Sequence, residues 1–371
     1  MGAKLKEYLS DPFLADLYRE IRRAGPVRSI SVDVTHACNI RCRGCYFFSE
    51  KMDQFAGSEE DFDRFIAREK SRGTNYVTVV GGEPSLVVDR IRKLYRHFRV
   101  NVVTNGLSRI PDSGLENLPV AVSVWGDSET DRSLRGNGRS DLFKRALENY
   151  RDDPRVFWYY TVGSGRAEEI EGVVGRCVEN GNYVFFNYYS DLSGLGGEFD
   201  HRRGFADVEQ EIDRMIDLYP DRILTTRYLN RVVCMGELYG ERWGYSVCTN
   251  LSVDDPANRE RLKSGKPFNS HFRAYNADFT STRRCCTGIG RDCGSCYDVW
   301  ERISWILLNA RRHMGSRQEF TNWLTTMYLF YLMTRFVDFD SGVRRLPEIH
   351  ERLGSPVGSA TGLTERPELV S

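Results

Sequence analysis

Over its first 220 residues the chain alternates short apolar runs with stretches whose apolar and charged positions repeat at helical spacing. The apolar runs are rich in β-branched and aromatic residues and predict strands over 29–35, 76–80, 100–104, 120–125, 156–162 and 183–189. The amphipathic stretches predict helices over 58–72, 86–98, 141–150, 168–180 and 207–219. Strands that alternate with helices favour a parallel sheet with crossover connections. Six such units predict an α/β fold with a barrel-like sheet that is not fully closed.

The alternation of strands and helices ends near residue 220, where a Cys-rich segment begins. The predicted division is a helical segment over 1–28, a barrel over 29–220, a Cys-rich module over 221–298, helices over 299–353 and a tail over 354–371. The Cys-rich module holds six of the ten cysteines with little periodicity, as a small metal-stabilised unit does. Residues 323–337 are apolar on nearly all sides, so their helix is expected to be buried. The tail is small and polar and is expected to be disordered.

Charge and hydropathy narrow the range of partners. Lys plus Arg and Asp plus Glu both number 52, so no overall basic field attracts nucleic acid. No uncharged stretch reaches the ~20 apolar residues of a membrane span, and the N-terminal residues lack the apolar core of a signal peptide. A cytoplasmic protein is therefore expected. In that compartment ten cysteines are better explained as metal ligands or buried thiols than as disulfides.

Three cysteines lie within eight residues, directly after the first predicted strand. Cys38, Cys42 and Cys45 could ligate three irons of a four-iron cluster and leave the fourth iron open, which is typical of a catalytic site. The loop falls at the carboxyl end of a strand, where barrel enzymes place their chemistry. Three buried thiols, or a zinc site completed by His36, are the alternatives.

A second motif closes the second predicted strand. Gly81 and Gly82 let the backbone approach a ligand closely, and the carbonyls there, together with Glu83, could receive an ammonium group. Alone, this Gly-Gly-Glu-Pro sequence fits any tight turn from strand to helix. Because it follows a cysteine triplet by one βα unit, the motif supports a ligand-binding site at this edge of the sheet.

The triplet with Tyr46 next to it, followed by the Gly-Gly-Glu-Pro motif, resembles the radical S-adenosylmethionine superfamily over residues 28–220. The resemblance implies a partial (β/α)6 TIM-type barrel. It also implies a [4Fe–4S] cluster on Cys38, Cys42 and Cys45 that chelates S-adenosylmethionine through the open iron. Reductive cleavage then yields methionine and a 5′-deoxyadenosyl radical, which takes a hydrogen atom from the substrate.

The same resemblance implies which residues hold S-adenosylmethionine. Tyr46 is expected against the adenine, the two glycines and Glu83 at the amino group, and Ser123 and Arg135 at the ribose and carboxylate. The full expected set is Tyr46, Gly81, Gly82, Glu83, Pro84, Asn105, Ser123 and Arg135. The fourth strand departs from the family by ending in Trp125, which could be a core aromatic or could face the substrate.

The second cysteine group resembles the auxiliary-cluster extensions called twitch or SPASM domains. The preferred ligands of a second [4Fe–4S] cluster are Cys248, Cys286, Cys293 and Cys296, with Cys234 and Cys285 as alternatives. A zinc site also suits four thiolates.

Three classes of function remain open. The leading one is a radical enzyme for a small molecule such as a sugar, a nucleoside or another specialised-metabolite intermediate, served by an electron donor such as flavodoxin or ferredoxin. The second is a peptide-modifying maturase, and the third is a non-catalytic iron–sulfur or zinc scaffold. Tyr159, Tyr160, Asn187 and Tyr188 lie on late strands, where alternate side chains face the barrel interior.

Overall fold

The computed structural model describes residues 2–136, 141–192, 194–258, 269–288 and 292–354. The strands are β1 (Ser29–Asp33), β2 (Tyr76–Val80), β3 (Arg99–Thr104), β4 (Val120–Val124), β5 (Val156–Val162), β6 (Tyr183–Tyr188), β7 (Glu237–Leu238), β8 (Glu241–Arg242), β9 (Ala274–Tyr275) and β10 (Thr282–Arg283). Strands β1 to β6 pair in sequence order and run parallel, each with the next. Every strand predicted from the apolar runs is present to within two residues at either end.

The helices over the barrel part of the chain are α1 (Gly2–Tyr8), α2 (Pro12–Ala24), α3 (Tyr46–Ser49), α4 (Glu59–Ser71), α5 (Val88–Tyr95), α6 (Ser128–Leu134), α7 (Leu142–Asn149), α8 (Ile170–Glu179), α9 (Ala206–Leu218) and α10 (Arg227–Met235). Those that follow them are α11 (Val299–Leu308), α12 (Arg317–Met333), α13 (Phe339–Val343) and α14 (Leu346–Gly354). This is the α/β partial TIM-type barrel that the alternating pattern and the resemblance predicted. The tail expected after residue 354 lies outside the described residues.

Alternation along β5 and β6 sorts their side chains between the two faces of the sheet. Tyr159 lines the barrel cavity, and Asn187 accepts a hydrogen bond from the Val299 amide of α11 on that same side (3.2 Å). Tyr188 points outward, where its hydroxyl donates to Asn230 of α10 (2.5 Å). Tyr160 follows the outward alternation, next to Glu169 and Cys177. Two of the four candidates named from the sequence therefore face the interior.

A hairpin from the Cys-rich segment completes one edge of the sheet. Strand β9 pairs in parallel with β1, and β10 pairs antiparallel with β9. Arg283 on β10 donates to Asp33 on β1 (2.9 Å), and both side chains are almost fully buried. Burial raises the pKa of the Asp33 carboxyl above its usual value, and the neighbouring Arg283 only partly opposes that shift. This pair fixes the hairpin against the strand that leads into the cysteine triplet.

Replacing Arg283 with Met should lower the free energy of unfolding by about 3–5 kcal/mol, because Asp33 would be left buried without its cation. Urea unfolding followed by circular dichroism measures the loss. The double variant Asp33→Leu/Arg283→Met removes both charges and should recover most of the stability. Equal stability of the Arg283→Met protein and the unaltered protein would show that the pair does not hold the hairpin.

The C-terminal helices close the barrel on its open side. Trp300 of α11 packs against Phe185 of β6 (ring centroids 5.3 Å apart) and against Phe330 of α12 (6.1 Å). As expected from its apolar surface, α12 is largely buried: ten of its seventeen residues are buried. No helix in the described part of the chain is both long and apolar enough to span a bilayer.

Candidate active site

The cysteine triplet lies in the loop between β1 and α3, at the carboxyl end of β1. The three thiols are partly exposed and line one pocket of about 130 Å³. Of the residues expected to hold S-adenosylmethionine, this pocket is also lined by Tyr46, Gly81, Gly82, Glu83, Asn105, Ser123 and Arg135. Pro84 does not line it; Pro84 is buried and begins the 3₁₀ turn after the motif. The fold thus brings together segments that lie up to 97 residues apart.

The glycine motif and the cysteine loop are held together through their backbones. The Gly82 amide donates to the Thr35 carbonyl (3.1 Å), and the Glu83 amide donates to the Ala37 carbonyl (2.8 Å). A Cβ on Gly82 would lie 2.0 Å from the Ala37 oxygen, so a side chain cannot be placed there without moving the backbone. Gly81 has φ +116°, a conformation that L side chains rarely adopt. Both glycines are therefore required by local geometry.

Glu83 ties the end of β2 to the end of β3. Its buried carboxylate accepts from the Thr104 hydroxyl (2.6 Å), the Asn105 amide (2.8 Å) and the Ser85 amide (2.9 Å). The Asn105 side chain in turn donates to the Asn39 side-chain oxygen in the cysteine loop (2.7 Å). Both carboxylate oxygens already have protein partners, so Glu83 is at least a positioning residue for this loop cluster.

A buried arginine lies beside the thiols. Arg135 donates to the Ser123 carbonyl and to Asp131 (2.8 Å each). Burial raises the pKa of the Cys42 thiol, and Arg135 beside it partly opposes that shift. Burial also raises the pKa of Cys38 to about 11 and that of Cys45 to about 12. Neutral thiols are favoured here unless a cation such as iron stabilises the thiolates, so the donor set fits a metal cluster.

Aromatic side chains form a wall beside this pocket. The sequence did not decide the role of one of them, Trp125, and did not point to the other, Tyr189. Trp125 is half-buried, lines the pocket and stands edge-on to Tyr189 (5.5 Å). Tyr189 packs on Phe199 (5.2 Å) and donates from its hydroxyl to the Gly44 carbonyl of the cysteine loop (3.2 Å). Tyr189 was not predicted as a site residue. Its position directly after β6, at the carboxyl edge of the sheet, is the one feature of the sequence that could have marked it as a site residue.

The second cysteine group is divided between two cavities. One cavity of about 30 Å³, here called the auxiliary thiol cavity, is lined by four of the thiols, those of Cys248, Cys285, Cys293 and Cys296. Cys286, one of the ligands predicted from the sequence, lines the barrel cavity instead, and the Cys234 thiol donates to the Asn230 side-chain oxygen on α10 (3.5 Å). Among the described residues, no three His, Cys, Asp or Glu side chains converge closely enough to ligate a single metal ion.

Between the two cysteine groups lies the barrel cavity, with a volume of about 480 Å³. Tyr46 is shared with the triplet pocket, and Glu301 is shared with the auxiliary thiol cavity. Glu301 accepts from the Cys248 and Cys286 thiols (3.5 and 3.6 Å). Burial, reinforced by Asp298, raises the pKa of Glu301 to about 8, and burial raises that of Asp298 to about 6.

Comparison with known proteins agrees with this geometry. Residues 32–169 match the model of the Radical SAM superfamily. The sporulation killing factor maturation protein SkfB of Bacillus subtilis is 28% identical over 172 residues, which cover 42% of this chain and 41% of SkfB. A "Probable GTP 3',8-cyclase" of Thermoplasma volcanium is 25% identical over 147 residues, covering 36% and 43%. The chain spans about two fifths of the length of these curated relatives.

Among solved structures, histidine-tagged anSMEcpe with bound AdoMet is 15% identical, with a TM-score of 0.49 over 80% of this chain and 84% of that one. A likeness of that size carries no conclusion about substrate. The segment that matches the family model contains the cysteine triplet, the glycine motif and every residue that lines the triplet pocket. Residues 32–169 of this chain therefore form a domain of the radical S-adenosylmethionine superfamily.

Proposed function

We propose that this protein cleaves S-adenosylmethionine reductively in the triplet pocket and uses the resulting radical on a substrate held in the barrel cavity. One observation carries the proposal: three thiols share a pocket with the glycine motif, and Tyr46 joins that pocket to the larger cavity. A [4Fe–4S] cluster, when bound, supplies the electron that splits the cofactor into methionine and a 5′-deoxyadenosyl radical, which abstracts hydrogen.

The residues of the chain have distinct tasks in this proposal. Cys38, Cys42 and Cys45 hold three irons. Arg135, fixed by Asp131, places positive charge next to the thiolates and the cofactor carboxylate. Glu83 keeps the glycine motif in register with β3, so that the carbonyls of the motif can accept the methionine ammonium.

The barrel cavity supports a polar substrate without phosphate groups. Its lining contains two acidic side chains, Asp298 and Glu301, and no Lys or Arg from the described residues. A triphosphate would meet the Asp298 carboxylate without a compensating cation. Ser31 and Thr249 line the same cavity, are at least 98% buried, and have hydroxyls without a hydrogen-bond partner in the described structure. Because buried hydroxyls are usually paired, they fit hydrogen bonds to a substrate.

A sugar or another unphosphorylated small molecule fits this lining, and so does a neutral or cationic peptide side chain. The peptide alternative is favoured by one relative, which is named as a maturation protein. A small molecule would be enclosed by the cavity, whereas a peptide would extend out of the cavity opening.

The decisive experiment is anaerobic reconstitution with iron and sulfide, followed by addition of S-adenosylmethionine and dithionite. We expect brown protein and formation of 5′-deoxyadenosine and methionine. Colourless protein, or brown protein that leaves S-adenosylmethionine intact, would contradict the proposal and favour a non-catalytic scaffold.

A second [4Fe–4S] cluster is part of the proposal, with Cys248, Cys285, Cys293 and Cys296 as its ligands. These four share one cavity. Four thiolates are a donor set that suits an iron–sulfur cluster and also zinc, and iron analysis distinguishes the two.

Adjacent cysteines allow a matched test of this ligand set. Cys285→Ala should lower the iron content by about four atoms per chain, because it removes a ligand of the second cluster. Cys286→Ala should retain that iron, since its thiol faces the barrel cavity. Slow 5′-deoxyadenosine formation should persist in both variants. The reverse pattern of iron loss would assign Cys286 to the cluster instead.

A further inference from the structure

A buried arginine next to the auxiliary thiol cavity has no acidic partner among the described residues. Arg302, on α11, is only 1% exposed and forms no ion pair in that part of the chain. The other buried arginines of the described chain are each paired with an aspartate, namely Arg135 with Asp131 (2.8 Å), Arg155 with Asp153 (2.6 Å) and Arg283 with Asp33 (2.9 Å). Because a buried charge without a counter-charge lowers stability, this exception needs a physical explanation.

The surroundings of Arg302 supply aromatic faces and leave several N–H groups unpaired. Its guanidinium lies over the Trp243 ring (4.2 Å) and near the Tyr297 ring (5.3 Å), and Nη2 donates to the Cys296 carbonyl (2.7 Å). Nε and Nη1 of Arg302 have no hydrogen-bond partner in the described structure, and neither has the indole N–H of Trp243. Buried donors are normally paired, so these groups point to an acceptor that carries negative charge.

The auxiliary thiols can supply that charge. Trp243, which stacks on Arg302, lines the auxiliary thiol cavity together with Cys248 and Cys296. Burial lowers the pKa of Arg302 to about 10, and the Cys296, Tyr297 and Cys248 side chains oppose that shift. The guanidinium is therefore a cation at neutral pH. It lies near two of the four thiols proposed as cluster ligands, and metal binding converts such thiols to thiolates.

We infer that Arg302 is the counter-charge of an iron–sulfur cluster on Cys248, Cys285, Cys293 and Cys296, and that its guanidinium raises the reduction potential of this cluster. The inference rests on the second cluster of the proposed function. Such a cluster gains one negative charge when it takes up one electron, so a fixed cation nearby favours the reduced state. Arg302 does not ligate iron. It acts on the cluster through charge and through its unpaired N–H groups.

A redox titration of the second cluster alone tests this role. The full-length variant Cys38→Ala/Cys42→Ala/Cys45→Ala, reconstituted with iron and sulfide, retains only that cluster. Adding Arg302→Met should lower the equilibrium constant for its one-electron reduction about tenfold or more, which corresponds to a potential lower by about 59 mV or more. Adding Arg302→Lys, which keeps the charge, should recover most of that loss. Electron paramagnetic resonance at poised potentials measures the reduced fraction.

A second readout separates a counter-charge from a packing residue. In iron-free protein Arg302 is buried without an acidic partner, so Arg302→Met should not lower the temperature of thermal unfolding. In iron-loaded protein the same change should lower that temperature and speed the loss of iron to a chelator, because the cluster then lacks its cation. A residue needed only for packing would lower the unfolding temperature of both forms alike.

Arg335→Met is the matched control. Arg335 also lies over an aromatic ring, that of Phe339 (3.4 Å), and burial lowers its pKa to about 10 as well. It donates to the Pro154 carbonyl (3.3 Å), just before β5 and hence at the amino end of the barrel, away from the thiols. Its replacement should leave the potential and the iron content unchanged.

Three results would overturn the inference. One is an equal potential with Met or Arg at position 302, and another is an equal loss of thermal stability in the iron-free and iron-loaded forms. The third is a triple-Ala variant that binds zinc or no metal, since there would be no cluster for Arg302 to balance. Failure of the proposed cleavage is distinct, because the unaltered protein would then form no 5′-deoxyadenosine with dithionite, whatever the potential of the second cluster.

Discussion

Replacement of Cys42 by Ala should abolish 5′-deoxyadenosine formation. Loss of residues that only support metal ligands costs about 10–100-fold, so loss of a ligand itself should cost at least ~100-fold. The Cys42 thiol lies beside the buried Arg135. Iron content should fall by about four atoms per chain, because two thiolates hold the cluster poorly. Product quantification by chromatography and iron analysis measure both effects.

Cys177→Ala provides the control for thiol loss. Cys177 is fully buried on α8, outside the barrel, and belongs to neither cysteine group. Its replacement should cost about 1 kcal/mol of stability while leaving iron content and the cleavage rate unchanged. Turnover near the original rate in the Cys42→Ala protein would remove the basis for assigning the triplet to catalysis.

An added methyl group (Gly82→Ala) should be more damaging at Gly82 than at any other glycine that the structure describes. The added Cβ would lie 2.0 Å from the Ala37 carbonyl oxygen and 2.5 Å from its carbon, and both are backbone atoms that cannot rotate away. Relieving that contact must displace Cys38 and break the Glu83–Ala37 hydrogen bond. We expect a loss of about 3 kcal/mol in unfolding free energy together with poor retention of the triplet iron.

Gly172→Ala adds the same methyl group where nothing lies within 4 Å. Gly172 is exposed within α8, so the change should stabilise the helix by up to about 1 kcal/mol. Thermal unfolding and iron content of the two variants, measured side by side, separate the effect of the close approach from that of losing a glycine. Equal behaviour would mean that the cysteine loop adapts freely.

The strands of the barrel were predictable because each is a local apolar run between turn residues. Strand β5, over Val156–Val162, has the predicted bounds, and β2 does as well. By contrast, β9 and β10 have two residues each and no periodicity of their own. They exist because Arg283 and the β1 edge hold them, and no local pattern encodes those contacts.

The same distinction holds within the site. Spacing alone singled out Cys38, Cys42 and Cys45, because ligands on one short loop carry their geometry in the sequence. The second group spans more of the chain, and adjacent Cys285 and Cys286 are equivalent by spacing. Only the packing of the hairpin and α11 directs one thiol to the auxiliary cavity and the other to the barrel interior.

The order of strands and helices, the triplet and the glycine motif could all be read from the sequence, because each depends on neighbours a few residues apart. Three features follow only from the folded chain: Glu83 is bound by β3, Tyr189 and Trp125 form one wall, and the lining of the barrel cavity contains acids and, among the described residues, no cations. Those features arise from side chains that are distant in sequence and meet only when the sheet curves. Hydrophobic periodicity, which is a local pattern, therefore does not predict them.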